Sequence, residues 1–240
     1  MSTVPALDEL RSVSRPVLYR THIADAPFGV WGSSFLVGHS SYTYVITARH
    51  IIRECPTSDI LIFPSDRSRI PLSLTDRITF EEDPEDQDST DLIVFRAPIE
   101  RVKKNDKRRS RVIDLNNIEG TNWLPTRFNS EMFLAGYPRV GTSVDYNTSI
   151  ATTKQIFLSG RYVGPFVSGG CHELQLRNPT CLADFDGLSG SPVFSVQIGI
   201  GIGYPARFCG MVIRAGAQSG KAYFLEAETI LLAVNNARDA

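Results

Sequence analysis

Residues 184–194 read DFDGLSGSPVF, a glycine-rich segment that runs directly into an apolar one. Such a segment fits two structures: a soft hairpin turn between two strands, or a strained turn that holds the Ser189 hydroxyl out toward a substrate. A serine between glycines is too common in turns to decide between them alone. The decision depends on whether the rest of the chain supplies a base and a carboxylate for that hydroxyl.

His50, one of four histidines, is the candidate base. It ends the segment YVITARH (44–50), in which a β-branched run predicts a strand. The imidazole is therefore expected at the tip of a rigid element, where it can be held in one orientation. The alternative is a histidine that only packs in the core or caps an element.

Asp91 is the candidate carboxylate. It opens DLIVF (91–95), directly after the acidic segment EEDPEDQD (81–88) and directly before a predicted buried strand. A carboxylate at that junction is partly desolvated and needs a partner, which the Nδ1 proton of His50 can supply. The alternative is an ordinary aspartate at the start of a strand, satisfied by nearby backbone N–H groups.

Taken together, the order His50, Asp91, Ser189 predicts a catalytic triad. Ser189 would attack a carbonyl, His50 would take its proton and later give it to the leaving group, and Asp91 would fix the imidazole tautomer. Ser189 Oγ should then lie about 2.6 to 3.2 Å from His50 Nε2, or somewhat farther without a ligand. The backbone N–H groups of Gly187 and Ser189 would form the oxyanion hole, because glycine at 187 permits the required turn.

Short β-rich runs dominate both halves of the chain, with turn residues between them. The runs are PVLYRTHI, SSFLVG, TYVITA, DILIF, RITF and DLIVF, followed by MFLAG, TTKQIFLSGRYVG, HELQL, PVFSVQIGI, CGMVIR and AYFLEA. Helices are predicted in ALDEL (6–10) and EAETILLAVNNA (226–237). No strand–helix alternation occurs, so the pattern favours an all-β fold closed by a C-terminal helix.

The composition limits which classes of binding partner and which cellular compartment are expected for the protein. The chain has 240 residues, 42% apolar, and 25 Lys and Arg balance 26 Asp and Glu, so no overall field recruits nucleic acid or a membrane surface. Acidic and basic residues occupy the N-terminus where a secretory signal needs an apolar core, and no run is long enough to span a membrane. A cytoplasmic location is therefore expected.

The four cysteines contain no close pair typical of a metal site, and in a reducing compartment free thiols are expected. They are Cys55, Cys171, Cys181 and Cys209. Residues 101–111, RVKKNDKRRSR, include seven basic side chains but no interleaved aromatic, which favours a solvated loop over a nucleic-acid site. Neither a metal nor a cofactor is predicted.

These motifs resemble those of the trypsin-like (chymotrypsin-fold) serine proteases. They are more similar to the disulfide-poor bacterial and viral-type members, including the HtrA-like catalytic domains, than to the digestive enzymes. TARH (47–50), DLIVF and GLSGSP (187–192) resemble the three triad motifs, and MFLAGYP, FCGMVIRAG and AYFLEAETI resemble supporting segments. The likeness extends from about residue 16 to about residue 236. It implies two six-stranded antiparallel β-barrels with the active site between them.

The implied organisation has five parts. Residues 1–15 are an N-terminal extension, 16–112 the first barrel with His50 and Asp91, 113–130 a linker, 131–225 the second barrel with Ser189, and 226–240 the C-terminal helix.

The chain also departs from the resembled family. Ile51 follows His50 where secreted digestive members have a cysteine. Separately, Leu188 precedes Ser189 where zymogen-type members have an aspartate that pairs with a newly cut N-terminus. We therefore expect activity without N-terminal cleavage.

Specificity is the least determined property. The resemblance places Ala183 at the base of the primary pocket, which favours a small or apolar residue before the cleaved bond. Asp184 and Asp186 lie close by in the sequence, and the rival hypothesis is an acidic residue recognised by Arg214. The predicted pocket residues are Ala183, Ile213, Arg214 and Ala215.

The sequence thus predicts a serine endopeptidase that takes a protein or peptide substrate. One alternative is a protease-fold binding or regulatory module without turnover. An esterase is disfavoured, because the segment after Ser189 predicts a strand where an esterase has a helix. A regulatory protein partner is a further expectation, with residues 81–111 as the candidate surface.

Overall fold

The structure is a computed structural model that describes residues 10–64, 68–81, 84–97, 112–117, 131–148, 150–166, 169–179, 183–196 and 206–239. Within these residues the secondary structure is mainly β. The basic segment 101–111, most of the predicted N-terminal helix, residues 118–130 of the predicted linker and Cys181 lie outside the described residues.

The first half of the chain forms one sheet. Its strands are β1 (Ser14–Arg20), β2 (Phe28–His39), β3 (Tyr42–Thr47), β4 (Ile60–Leu61), β5 (Thr75–Thr79), β6 (Ile93–Ala97) and β7 (Ile113–Asp114). The hydrogen-bonded order is β4-β1-β2-β3-β6-β5, and β7 pairs in parallel with β2. All other pairs are antiparallel, so short connections suffice.

The second half forms a closed barrel. Its strands are β8 (Glu131–Gly136), β11 (Ile156–Pro165), β12 (Cys171–Leu176), β13 (Pro192–Val196), β14 (Ala206–Gly216) and β15 (Lys221–Glu226). They close in the order β11-β12-β15-β14-β13-β8. A separate hairpin of β9 (Ser143–Asp145) and β10 (Ile150–Thr152) lies between β8 and β11 in the chain.

The described structure also contains the short α-helix α1 (Arg49–Ile52), the C-terminal α-helix α2 (Ala227–Asp239) and the 3₁₀-helices Thr57–Asp59 and Leu115–Asn117. The predicted C-terminal helix is confirmed, and its Ile230 and Val234 are fully buried. The Arg96 Nη2 group in β6 donates a 2.8 Å hydrogen bond to the Ala237 carbonyl. The helix that follows the second barrel is therefore tied to the first sheet.

The two halves share a hydrophobic core. Phe35 of β2 and Phe208 of β14 belong to one buried cluster, with ring centroids 5.4 Å apart. Such an aromatic pair contributes about 0.5 to 1.5 kcal/mol beyond the burial of its area. This shared core holds the end of β3 and the turn before β13 at fixed positions.

The predicted all-β double-barrel fold is confirmed, with one difference in the first half. There the described strands form a sheet without the hydrogen-bonded closure of the second half, because β5 pairs only with β6 and β4 only with β1. Each of the twelve predicted strand segments corresponds to an observed strand. Cys55, Cys171 and Cys209 are free thiols, and in the part of the chain described here no helix is long and apolar enough to cross a membrane.

Candidate active site

His50 lies where β3 ends and α1 begins. Strand β3 is buried from Thr43 to its end at Thr47, and Ala48 keeps an extended backbone before the chain turns into α1. His50 therefore stands in a helical turn three residues beyond the strand, not at the strand tip itself. Its side chain is about half exposed and lines a cleft in the protein surface.

Asp91 holds His50 through two contacts. Asp91 Oδ2 lies 2.6 Å from His50 Nδ1, and Asp91 Oδ1 accepts the backbone N–H of His50 at 2.8 Å. An ionised carboxylate can only accept, so this contact assigns the imidazole proton to Nδ1 and leaves a lone pair on Nε2. The carboxylate itself is largely buried, whereas the imidazole is open to the cleft.

The turn around Ser189 depends on two glycines with positive φ angles. Gly187 has φ +93° and Gly190 φ +85°, in the left-handed region that glycine alone adopts readily. A Cβ at Gly190 would lie 1.8 Å from the Ser33 carbonyl oxygen, and a Cβ at Gly187 would lie 2.6 Å from the Tyr137 carbonyl oxygen. The turn is therefore closely packed and depends on glycine at both positions.

Ser33 of β2 secures this turn, and no local sequence pattern marks it for that role. Its hydroxyl donates to the Gly187 carbonyl at 2.8 Å and accepts the Tyr137 backbone N–H at 2.8 Å. Its own N–H donates to the Ser189 carbonyl at 3.0 Å. The first sheet thus holds the serine turn of the second barrel directly, across the interface between the two halves.

The Ser189 hydroxyl donates a 2.9 Å hydrogen bond to the Ile213 carbonyl. Ile213 lies at an irregularity of β14, where the pairing with β15 shifts between Val212 and Arg214. Among the described residues the hydroxyl has no hydrogen bond to His50, so the expected contact between Ser189 Oγ and His50 Nε2 is not formed in this structure.

The N–H groups of Gly187 and Ser189 are the two left unused in the turn, as far as the described residues go. The neighbouring N–H groups are engaged: that of Leu188 donates to Phe185 O at 3.1 Å and that of Gly190 to Val212 O at 2.7 Å. Unused backbone donors on both sides of Leu188 leave Gly187 and Ser189 as the candidate oxyanion donors.

A cleft of about 820 Å³ lies beside His50 and Asp91. Its described lining comprises Arg49, His50, Arg53, Glu54, Arg77, Thr79, Phe80, Gln87, Asp88, Thr90, Asp91, Ile213 and Arg214. Two of the predicted pocket residues, Ile213 and Arg214, are thus in the cleft. The other two, Ala183 and Ala215, are not among its described lining residues, and Ala183 is exposed.

Arg214 and Asp88 form an ion pair across this cleft. Arg214 Nη2 lies 2.7 Å from Asp88 Oδ2, which joins β14 of the second barrel to the loop before β6 of the first sheet. Burial raises the pKa of the Asp88 carboxyl above its usual value, and the Arg214 charge opposes that rise. Asp88 is not distinguished by the sequence, because nothing in EEDPEDQD separates one carboxylate from the others.

The chemistry of the described residues suits proton transfer and nucleophilic attack. Among the residues described, no group of three or more His, Cys, Asp or Glu side chains is arranged to hold a metal ion.

Comparison with known proteins identifies the fold. No protein-family model and no curated protein sequence matches the chain. Among solved structures, the crystal structure of Rv3671c from M. tuberculosis H37Rv, a serine-to-alanine mutant in an inactive form, matches with a TM-score of 0.55. The chain has the chymotrypsin-like fold. The match covers 99% of this chain and 92% of that one at 11% identity, which shows the fold alone.

Proposed function

We propose that the protein is a serine endopeptidase that cleaves polypeptides through Ser189, His50 and Asp91. The observation that carries the proposal is the 2.6 Å contact between His50 Nδ1 and Asp91 Oδ2 at the wall of the cleft. It orients the imidazole for general-base chemistry, in a fold whose second barrel presents a serine on a closely packed glycine-rich turn.

The reaction begins when the Ser189 hydroxyl leaves the Ile213 carbonyl and turns toward His50. Ser189 Oγ attacks the carbonyl carbon of the scissile peptide while its proton moves to His50 Nε2, and Asp91 stabilises the resulting imidazolium. The negative charge that develops on the substrate oxygen is received by the N–H groups of Gly187 and Ser189. The tetrahedral intermediate then expels the amine, which takes the proton from His50, and leaves an acyl-enzyme.

Hydrolysis of the acyl-enzyme repeats these steps with water as the nucleophile. His50 takes a proton from the water, the hydroxide attacks the ester carbonyl, and the Ser189 oxygen leaves with the proton that His50 returns. No cofactor enters this sequence of steps.

Activity without N-terminal cleavage is part of the proposal. Leu188 is fully buried in the main core cluster, and its N–H donates to the Phe185 carbonyl. Apolar packing therefore holds the position where zymogen-type members of the resembled family need an ion pair. We expect the intact chain to be active.

For the residue before the cleaved bond we propose a small or apolar side chain, because Ala183 carries no charged group. The rival hypothesis is an acidic residue at this position recognised by Arg214, which lines the cleft and pairs with Asp88. A cytoplasmic location remains a prediction from the sequence.

Hydrolysis of an unfolded protein such as reduced casein tests the proposal. The wild type should generate new peptides, and Ser189→Ala and His50→Ala should each lower turnover by about a million-fold. The Ser189–Ile213 hydrogen bond favours one second candidate, a binding module in which the serine is not used. A wild type that binds polypeptide but cleaves none would support that module and contradict the proposal.

A further inference from the structure

The Arg214 side chain is held in a defined position on the cleft wall. Its guanidinium carbon lies 4.7 Å from the ring centroid of Tyr223 and 5.3 Å from that of Phe166, and its Nη2 contacts Asp88. Cation–π contacts of this kind restrict the side chain without neutralising its charge. Arg214 also directly follows Ile213, whose carbonyl accepts the hydrogen bond of the Ser189 hydroxyl. Arg214 is therefore the chain neighbour of a residue that contacts the candidate nucleophile.

Of the two charges in this ion pair, the positive one is open to the cleft. The Arg214 side chain is 49% exposed and the Asp88 side chain 21%. A guanidinium has five N–H donors in a fork that matches a carboxylate, and in the described part of the chain only Nη2 of Arg214 has a carboxylate acceptor. The site therefore retains donors for a second anion or for a replacement of Asp88.

Other charges of the cleft also favour an anion. Arg53 Nε and Arg77 Nη1 donate to the carbonyls of His50 and Cys55, which bear no net charge and leave both guanidinium charges in place. Among the carboxylates that line the cleft, Asp91 is committed to His50. The described lining contains four arginines and three carboxylates, Glu54 among them, so an approaching acidic side chain meets a wall with a small excess of positive charge.

We propose, as a deepening of the endopeptidase function proposed above, that Arg214 is a specificity-determining residue that binds an acidic side chain of the substrate polypeptide near the cleaved bond. Asp88 holds this place in the free protein, and the substrate carboxylate replaces it. The bound residue is distinct from the one before the cleaved bond, for which the exposed Ala183 is the candidate contact.

The loop that carries Asp88 has an anchor of its own. Asp86 Oδ2 accepts the Gly169 backbone N–H at 2.8 Å, and Asp86 Oδ1 accepts that of Ser89 at 3.2 Å. Replacement of Asp88 by asparagine therefore removes the charge that competes for Arg214 while these bonds keep the loop in position.

Matched fluorogenic peptides test this inference. A set carries Glu in turn at each of four positions on either side of the cleaved bond, and a second set carries Gln at the same positions. At one position other than that directly before the bond, the wild type should cleave the Glu peptide with a kcat/KM about tenfold higher than the Gln peptide. Arg214→Gln should abolish this ratio, and Asp88→Asn should increase it about threefold or more by removing the competing charge.

The chain offers a matched control pair outside the cleft. Arg177 Nη2 and Glu131 Oε2 are also 2.7 Å apart, with side-chain exposures of 51% and 19%. Arg177→Gln and Glu131→Gln should leave the Glu-to-Gln ratio unchanged, and rates are expressed per serine labelled by a fluorophosphonate. A ratio near one at every position in the wild type, or a ratio that survives Arg214→Gln, would overturn the inference.

A binding measurement separates this inference from the proposed function. In Ser189→Ala, which cannot form the acyl-enzyme, the Glu peptide should still bind about tenfold more tightly than the Gln peptide, and Arg214→Gln should remove the difference. If the wild type neither labels nor cleaves but this difference persists, the endopeptidase function fails and the Arg214 site stands. If cleavage occurs without any such difference in binding or rate, the Arg214 site fails and the endopeptidase function stands.

Discussion

The two oxygens of the Asp91 carboxylate both contact His50: Oδ2 lies 2.6 Å from Nδ1, and Oδ1 lies 2.8 Å from the backbone nitrogen. One carboxylate thereby fixes both the ring and the backbone of the candidate base. Because the partner of Nδ1 is an acceptor, the imidazole presents its lone pair at Nε2. This relationship makes the role of Asp91 testable apart from that of Ser189.

Asp91→Asn should preserve the shape of the site but reverse the polarity at Nδ1. An amide N–H directed at Nδ1 stabilises the tautomer with its proton on Nε2, which cannot act as a base, and turnover should fall about ten-thousand-fold. The control is Asp59→Asn, since His22 Nε2 and Asp59 Oδ2 form a similar pair, 2.8 Å apart, outside the cleft. Asp91→Asn with nearly full activity would show that the His50–Asp91 contact is structural only.

Gly190→Ala should destabilise the protein strongly. The new Cβ would lie 1.8 Å from the Ser33 carbonyl oxygen at a φ of +85°, so backbone must move, and we expect a loss of about 3 kcal/mol or more in the free energy of unfolding. Gly141→Ala is a matched control, because φ is +83° but the nearest atom is 3.5 Å away. It should cost about 1 kcal/mol, and equal losses in urea unfolding would contradict the packing described for the turn.

Ser33→Ala should weaken the support of the serine turn. It removes the donor to the Gly187 carbonyl and leaves the buried Tyr137 N–H without its acceptor, at a cost of about 1 to 3 kcal/mol in stability. It should also slow fluorophosphonate labelling about tenfold, because the N–H groups of Gly187 and Ser189, the proposed oxyanion donors, lose their fixed position. Ser34→Ala, which removes only a 3.3 Å bond to the Arg15 carbonyl, should leave the labelling rate unchanged.

Alkaline pH should destabilise the protein through its buried thiols. Burial raises the pKa of Cys209 to about 12, whereas an unfolded thiol ionises near its usual value of about 8.5. Above that value the unfolded chain binds fewer protons than the folded one, so the free energy of unfolding falls as the pH rises toward 12. Cys209→Ala should make the decrease between pH 8 and pH 11 smaller than in the wild type, and parallel pH curves would contradict the assignment.

Much of the fold followed from local patterns in the sequence. Alternating β-branched and aromatic residues predicted the strands of both halves, and the apolar stripe through Ile230 and Val234 predicted α2. The hairpin of β9 and β10 was missed because its strands are three residues long and mostly exposed. The short helix α1 was missed because four residues carry too little periodicity.

The sequence identified those residues of the candidate site whose side chains can themselves attack or transfer protons. It did not identify residues whose role depends only on their position in the folded protein. His50, Asp91 and Ser189 were proposed from residue type and order. Ser33 and the Asp88–Arg214 ion pair depend on contacts between the two halves, which no local sequence pattern encodes. The direction of the Ser189 hydroxyl toward Ile213 is likewise set by packing and hydrogen bonding in three dimensions.

The most direct test of the central claim is the intact mass of the full chain after treatment with a fluorophosphonate, followed by mapping of the modified peptide. A single adduct on Ser189 is expected in the wild type without prior N-terminal cleavage, and none in Ser189→Ala or His50→Ala. A wild type that stays unmodified under conditions where trypsin is fully labelled, or an adduct on a residue other than Ser189, would contradict it.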